Sequence, residues 1–229
     1  MISCKNIHEK IWKLKRYSFK DYNIEDYIGR RHLPFDEKYL PLNGVYFLFE
    51  NGEKSHGGDR IVRVGSHTGQ GNLIKRLKEH FITENKDRSI FRKNIGRALL
   101  RKSEDHFLHI WNKDFTSKKA RKLTLSIEEQ KKQTDIERDV SVYLWKNFSF
   151  SILEVDNVRD RLSLEKNIIK TISSCSCNAS EMWLGRFSPE ETIRNSSLWL
   201  KQHVLIQQAN FNFDMQLFER YFTHAAREI

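Results

Sequence analysis

Apolar and polar residues recur along the chain with the periods of both helices and strands. Residues 5–19 place apolar side chains at helical spacing among basic ones, which predicts a short amphipathic helix. A polar stretch with Pro34 and Pro41 follows, and we expect an irregular arm there. Residues 44–50 and 60–65 are rich in β-branched and aromatic side chains and predict the two strands of a hairpin. The turn-rich residues between them predict a connection longer than the tight two-residue type.

The rest of the chain predicts mainly helices. Asn72 is a suitable N-terminal cap for a helix that ends near residue 81. Further along, the pattern predicts a helix over 89–102, a strand over 106–111, a basic loop over 113–122, a long helix over 128–147, a strand over 148–155, a helix over 158–173, a helical turn before Trp199 and a tail helix over 214–228.

This order of elements predicts an α/β (α+β) fold. We expect a small mixed, mainly antiparallel central sheet flanked by helices, with helical additions at both ends. The length of 229 residues suits one well-cored domain with such additions. We therefore divide the chain into an N-terminal helical arm over 1–42, a central domain over 43–200 and a C-terminal helical tail over 201–229.

The chain is basic, with 40 Lys+Arg against 30 Asp+Glu and a net charge of +10. Residues 86–132, which we interpret as a basic insertion in the central domain, hold 14 basic and 6 acidic residues and supply +8 of that charge. Nucleic acid attracts such a stretch because neutralising phosphates releases counterions. A solvated helical surface is the commoner explanation for a charge run, so the charge alone is weak support for a nucleic-acid partner.

Composition also excludes several classes of protein. The longest apolar run, residues 45–49, is far shorter than a bilayer span, and the charged N-terminal residues contain no signal-peptide core. Three cysteines cannot form a paired disulfide framework, and Cys175 and Cys177 alone cannot build a zinc site. We therefore expect a soluble cytoplasmic protein that binds no membrane.

An ordered set of residues begins in the predicted hairpin. Its members are Gly44-Val45-Tyr46 at the start of the first strand, Arg63-Val64-Gly65 at the end of the second, Asn72, Leu73, Arg76, Leu77 and His80 on the next helix, Glu165 on a later helix, and Asn178 beyond it. In this order and spacing the set resembles the GIY-YIG nuclease family, over roughly residues 43–200. A literal Tyr27-Ile28-Gly29 lies upstream of the set, and we interpret it as a chance occurrence.

The resemblance implies a divalent-metal-dependent endonuclease that hydrolyses DNA phosphodiester bonds, with Mg²⁺ as cofactor or Mn²⁺ in its place. It implies catalytic roles for Tyr46, Arg63, Arg76, His80, Glu165 and Asn178, with Glu165 as the metal ligand. The compact chain is most similar to the restriction-type branch, so a restriction or defence role is expected. Whether both strands are cut by a homodimer or by nicking twice is left open.

Arg63 departs from the family pattern, which usually has a tyrosine at this position. A guanidinium cannot accept a proton, but it can hold a phosphate or favour the phenolate form of a neighbouring tyrosine. Tyr46 has a strand-core alternative. As a water-activating group it needs such a cation or a metal, because an unperturbed phenol has a pKa of about 10.

Arg76 and His80 are four residues apart and project from one helical face. A guanidinium stabilises the charge that develops on a pentavalent phosphorus, and an imidazole relays a proton or holds a phosphate oxygen. The alternative for Arg76 is a surface salt bridge, with Glu79 or Glu84 as its partner.

Glu165 shares a predicted helix face with Leu162, Ile168 and Ile169. An acid on an apolar stripe costs free energy unless it is paired or bound to a cation. A buried salt bridge is one explanation, and a Mg²⁺ ion held by one carboxylate and several waters is the one we favour.

We expect DNA contacts from basic residues near this set, namely His67, Lys75, Arg92, Lys93 and Arg97. For His67 a solvated loop histidine is an equal alternative. Two other functions remain open: a GIY-YIG-like module that binds nucleic acid without cutting it, which the missing second tyrosine favours, and a nuclease that acts on RNA or branched DNA.

Overall fold

A four-stranded antiparallel sheet forms the centre of the protein, in a computed structural model that describes residues 3–27, 32–115, 125–204 and 213–225. Its strands are β1 (Arg16–Ser18), β2 (Gly44–Ser55), β3 (Gly58–Gly65) and β4 (Phe148–Glu154), in the spatial order β1-β4-β2-β3. All three strand pairings are antiparallel. The predicted α+β class is therefore confirmed, although the described sheet has no parallel component.

Helices cover both faces of this sheet. They are α1 (Cys4–Ile11), α2 (Leu73–Phe81), α3 (Ile90–Lys102), α4 (Leu108–Trp111), α5 (Ile127–Asn147), α6 (Val158–Ser173), α7 (Glu191–Ser196) and α8 (Met215–Ala225). Helices α2 to α5 and α7 share one buried apolar cluster, and α1, α6 and α8 share the other. Among the described helices, none combines the length and apolarity that crossing a membrane requires.

Strand β2 lies between these two clusters. Tyr46 and Leu48 belong to the first cluster, whereas Val45, Phe47 and Phe49 belong to the second. Successive side chains of a strand point to opposite faces of the sheet. Because both faces are covered, the run is continuously apolar instead of alternating with polar residues.

The hairpin turn is tighter than the sequence predicts. Strands β2 and β3 continue to Ser55 and from Gly58, so only His56 and Gly57 form the turn. Both have positive φ, 53° and 91°, as favoured two-residue hairpin turns require. The prediction of a longer connection was wrong because polar residues also pair as strand here, with Lys54 opposite Asp59 and Ser55 opposite Gly58, so a lack of apolar residues does not mark the end of a strand.

Two other elements differ from the prediction. The first helix ends at Ile11, and residues 16–18 pair with β4 as strand β1 instead of continuing that helix. Residues 106–111 contain the short helix α4 in place of a strand, since a brief apolar run does not distinguish the two states. The basic loop predicted over 113–122 and the sequence Tyr27-Ile28-Gly29 lie partly outside the described residues. The division into arm, domain and tail stays a prediction.

A buried carboxylate ties the C-terminal part of the chain to the sheet. Glu50 in β2 is only 4% exposed, and it accepts hydrogen bonds from the indole nitrogens of Trp183 and Trp199 at 2.8 and 2.7 Å. The hydroxyl of Tyr143 in α5 donates to the same carboxylate. Burial raises the pKa of Glu50, and the three donors oppose that rise.

The chain segment that contains Trp199 then runs along the outer edge of β3. The backbone N–H of Trp199 donates to the carbonyl of Val62 at 2.8 Å. Beside it, Arg60 forms a buried ion pair with Glu53 at 2.6 Å and donates to the carbonyl of Ser197. These bonds fix the position from which the following residues leave the sheet.

We expect Glu50→Gln to lower the free energy of unfolding by about 1–3 kcal/mol, because an amide nitrogen would face donors that now meet an acceptor. Guanidinium-induced unfolding would measure the change. Glu181→Gln removes a carboxylate from an exposed position and should alter stability by less than about 0.5 kcal/mol. Equal stability of the two variants would contradict the anchoring role of Glu50.

Candidate active site

A cavity of 590 Å³ opens beside the start of β2 and the end of β3. Side chains of α2, α3 and α6 complete its wall together with residues 200–203, which follow the segment anchored by Trp199. The lining includes Tyr46, Arg63, Arg76 and Glu165. Four of the six predicted catalytic residues, which come from four different elements, therefore meet at one cavity.

Tyr46 reaches the cavity because its neighbour on β3 has no side chain. The strand register places Tyr46 opposite Gly65. A Cβ atom added at Gly65 would lie 2.2 Å from the phenolic oxygen, which no real contact allows. A Cβ at Gly44 would likewise lie 2.5 Å from the carbonyl oxygen of Leu153 on β4. The glycines in both strand motifs are thus steric requirements of the sheet and of the tyrosine.

His80 lies behind Tyr46 and not in the cavity. Its Nε2 is 2.8 Å from the Tyr46 hydroxyl oxygen, and its Nδ1 is 2.7 Å from Oγ of Ser89. The imidazole is completely buried and does not line the cavity. The helix face that carries His80 turns into the core, so the fold gives no support to a direct contact between His80 and a phosphate oxygen.

The charge state of His80 follows from this position. Burial lowers its pKa well below the usual value, and the positive charges of Arg76, Arg63 and Arg92 lower it further. The imidazole is therefore neutral at neutral pH. It can accept a hydrogen bond from the Tyr46 hydroxyl while its other nitrogen donates to Ser89.

Arg63 is buried at the back of the cavity. One of its nitrogens donates to the carbonyl of Trp199, and its guanidinium carbon lies 5.2 Å from the centre of the Phe91 ring. Its Nε is buried and has no hydrogen-bond partner among the described residues. Burial lowers the pKa of Arg63, whereas attraction to Tyr46 and Glu165 opposes that change. A buried, unpaired donor beside a cavity favours an anionic ligand.

Arg76 forms the salt bridge that was one interpretation of its position, and it also lies at the cavity as the other interpretation requires. It pairs with Glu79 at 3.0 Å and donates to the carbonyl of Arg88 at 3.1 Å, in each case through Nη1. It also lines the cavity beside Tyr46. Burial alone would lower its pKa, but Tyr46 and Glu79 outweigh that effect and the pKa is raised. The N–H groups on Nε and Nη2 of Arg76 take no part in these two bonds.

Glu165 faces the cavity from α6. Its carboxylate accepts a hydrogen bond from the hydroxyl of Ser66, and no described ion pair involves it. Leu162, which also lines the cavity, is 41% exposed, while Leu164 is buried. The buried apolar face of α6 therefore differs from the predicted one, which included Leu162. Glu165 is half-buried at the border of this face, on the side of the cavity.

His67 and Asn178 occupy different surroundings. His67 lines the cavity, its Nε2 accepts from the backbone N–H of Gly44 at 3.3 Å, and its Nδ1 has no hydrogen-bond partner among the described residues. Burial lowers the pKa of His67, and Arg161 adds to the effect. Asn178 is exposed and does not line the cavity, so the fold does not bring it to Tyr46.

Three of the residues expected to contact DNA are held inside the protein. Arg92 is fully buried against Glu137 at 3.0 Å, Lys93 pairs with Asp87 at 3.1 Å, and Arg97 pairs with Glu190 at 2.9 Å. Two of these acids, Glu137 and Glu190, are distant in the sequence, and Asp87 is six residues from Lys93. The ion pairs give no support to DNA contacts by these three residues, which stay predictions. Lys75 is exposed and lines the cavity.

Several residues at the cavity were not singled out from the sequence. Ser66 follows the second strand motif directly, so its position there was a usable signal. Lys201, Gln202 and His203 line the cavity only because Trp199 pairs with β3. No sequence pattern around Trp199 predicts its pairing with β3.

Comparison with known proteins gives a family match. A family model described as GIY-YIG domain matches residues 14–227, nearly the whole chain. No curated protein and no solved structure matches.

The lowered pKa of His80 predicts a stability that falls with acid. In the unfolded chain the imidazole takes up a proton below its usual pKa of 6.5, whereas the buried one stays neutral, so acid favours unfolding. Between pH 7.5 and pH 5.5 this group alone should remove about 1.4 kcal/mol of unfolding free energy.

Guanidinium unfolding of the wild type and of His80→Gln at these two pH values would measure that difference. The variant should lose about 1.4 kcal/mol less than the wild type over the interval. His109→Gln, at an exposed position, should behave as the wild type does. The same pH dependence in His80→Gln and in the wild type would show that His80 is not held neutral.

Proposed function

Because the chain belongs to the GIY-YIG domain family, we propose that it is a divalent-metal-dependent endonuclease that hydrolyses DNA phosphodiester bonds. The convergence of one phenol, two guanidinium groups and one carboxylate at a single cavity carries this proposal. These are the groups that hold a phosphate, orient water and bind a cation. The four residues are spread over positions 46 to 165 of the sequence. Neither core packing nor ion pairing between helices requires them to share one cavity.

The cations of the cavity favour a phosphodiester substrate. Within the described part of the chain, Nε of Arg63 is buried and has no hydrogen-bond partner, and Arg76 has donors beyond the one that binds Glu79 and Arg88. Planar guanidinium groups match the oxygens of a phosphate, and they stabilise the added negative charge of its transition state. We assign Arg76 to that role and Arg63 to holding the phosphate and the Tyr46 oxygen.

Tyr46 is the candidate for orienting the attacking water. Its hydroxyl donates to the neutral His80 in the arrangement described above, so the lone pairs of its oxygen can accept from water. His80 does not touch the cavity, and we assign it as a positioning residue that acts through Tyr46.

The carboxylate of Glu165 and the hydroxyl of Ser66 fit a Mg²⁺ ion. Both are oxygen ligands, Glu165 has no ion-pair partner among the described residues, and the cavity leaves room for waters and a phosphate oxygen. Mn²⁺ accepts the same kinds of ligand. When bound, such an ion would polarise the scissile phosphate and stabilise the leaving oxygen. Glu165 would hold it, with Ser66 orienting the carboxylate.

Other assignments rest on the family resemblance and stay predictions. They are the preference for DNA over RNA, the restriction or defence role, and a catalytic part for Asn178. The distance of Asn178 from the cavity lining gives it no support.

Incubation with supercoiled plasmid and Mg²⁺ tests the proposed function. We expect nicking or linearisation by the wild type, and at least a hundredfold lower rate, roughly, in Glu165→Gln and in Arg76→Ala. EDTA should abolish cleavage. Glu181→Gln and Lys146→Ala change exposed residues outside the cavity and should cleave at the wild-type rate.

Different results would each contradict a part of the proposal. Cleavage retained in Glu165→Gln or in EDTA would refute the metal assignment. Tight, salt-sensitive binding without cleavage of any substrate would identify a binding module. Cleavage confined to RNA or branched DNA would refute the assigned substrate.

The positions of the basic residues predict which of them contribute to DNA binding. In metal-free buffer, Lys75→Ala should weaken binding to duplex DNA and reduce the salt dependence of the binding constant by about one ion, with no change in melting temperature. Lys93→Ala should lower stability by about 1–3 kcal/mol and leave the salt dependence unchanged. The reverse pattern would show that the ion pairs of α3 open to hold DNA.

A further inference from the structure

Three cysteines and one histidine meet outside the cavity. Cys4 begins α1, His56 lies in the hairpin turn, and Cys175 and Cys177 follow α6. From the sulfur of Cys177, the sulfur of Cys4 is 3.6 Å away, the sulfur of Cys175 is 3.0 Å away, and Nε2 of His56 is 2.9 Å away. All four ligand atoms lie within 4.8 Å of one another.

We propose that these four side chains form a Cys₃His site for a structural zinc ion. Zinc bonds of about 2.3 Å to sulfur and 2.0 Å to nitrogen give a tetrahedron whose edges are about 3.5–3.8 Å long. Four of the six separations between ligand atoms are 2.9 to 3.6 Å, and all six are within 4.8 Å, so they lie on either side of those edges and side-chain rotations bring them to a tetrahedron. Four protein ligands also complete the tetrahedral shell that structural zinc sites have.

A disulfide explains the cluster less well. The sulfur separations of 3.0 and 3.6 Å exceed a disulfide bond of about 2.05 Å, and all three thiols are free. Any one disulfide would also leave the third cysteine and His56 without a role. A single ion uses all four groups.

The hairpin turn places His56 at the cluster. Its φ of 53° is in the left-handed region, which histidine tolerates better than most residues do. The turn directs Nε2 of His56 at two thiols, those of Cys175 and Cys177.

His8 supports the site without belonging to it. Its Nε2 accepts from the backbone N–H of Ile61 at 3.1 Å, so the neutral ring carries its proton on Nδ1 and donates to the carbonyl of Cys4 at 2.9 Å. Both nitrogens are therefore occupied. This bridge fixes the start of α1, and with it the Cys4 sulfur, against β3.

The ligand chemistry separates this site from the proposed magnesium site. Thiolates and imidazole prefer zinc, whereas Mg²⁺ prefers oxygen ligands. None of the four residues lines the cavity. The proposal therefore does not rest on the nuclease assignment. A zinc ion here would join the N-terminal helix, the hairpin turn and the segment after α6, three points distant in sequence.

Metal analysis of the full chain, purified in reducing buffer without chelator, tests the proposal. We expect one zinc per chain by mass spectrometry of the metal. Replacement by Co²⁺ should give the visible bands of tetrahedral cobalt with thiolate-to-metal charge transfer. Removal of zinc should lower the melting temperature, and added zinc should restore it.

Two variants and two controls locate the ion. His56→Asn supplies the preferred turn residue but no imidazole, so the protein should fold while its zinc affinity falls at least a hundredfold, roughly. Cys177→Ser should lose zinc. His109→Asn removes an exposed histidine elsewhere, and Glu165→Gln alters the cavity; both should retain one zinc per chain.

Four results would overturn the proposal. They are a protein with neither zinc nor a cobalt spectrum, zinc retained in Cys177→Ser, zinc lost in Glu165→Gln, and a disulfide between Cys4 and Cys177 found by peptide mapping of the unreduced protein. If Cys177→Ser does not fold, unchanged zinc affinity in His56→Asn still refutes the site.

Discussion

The buried carboxylate of Glu50 determines where the chain returns to the sheet, and the cavity depends on that return. Its two indole donors, Trp183 and Trp199, lie in the C-terminal half of the chain. Once Trp199 is held, its N–H pairs with Val62 and its carbonyl accepts from Arg63. By holding Trp199, Glu50 thus fixes the carbonyl that orients Arg63. It also fixes the point from which residues 200–203 continue to line the cavity. The two oxygens of a carboxyl group can each accept more than one hydrogen bond, so this one side chain meets all three donors.

The distribution of charge shows why the number of basic residues in a segment does not identify the cations that line the cavity. The segment 86–132 carries most of the net charge, yet Arg92 and Arg97 are held by acids from α5 and from the residue before α7. The cations that do line the cavity, Arg63 and Arg76 among them, lie outside that segment. Arg63 is in no described ion pair, and Arg76 pairs with Glu79 through Nη1 alone. Availability to a phosphate depends on pairing in the fold and not on density along the chain.

The same distinction separates what the sequence could predict from what it could not. The strands around Tyr46 and Gly65, helix α2 and the full extent of α6 follow from local periodicity, because each is decided by residues near in sequence. The convergence of Tyr46, Arg76 and Glu165 followed from the ordered motif. The burial of His80, the internal ion pairs of α3 and the approach of Cys4 to Cys177 depend on contacts across 6 to 173 residues. No periodic pattern records such contacts, so they required the fold.

The two proposed metal sites lie near opposite ends of shared elements, and their chemistry keeps them independent. Strand β2 begins near Tyr46 and ends at the turn that holds His56; α6 carries Glu165 and is followed by Cys175. A single carboxylate that relies on waters and substrate would bind a cation weakly, so a proposed magnesium ion at the cavity would exchange readily. Three thiolates and an imidazole enclose zinc tightly and leave no open position. Zinc would therefore collect at the cluster and leave the cavity to magnesium. Zinc would then stabilise β2 and α6, which position Tyr46 and Glu165, at the ends of these elements that lie away from the cavity.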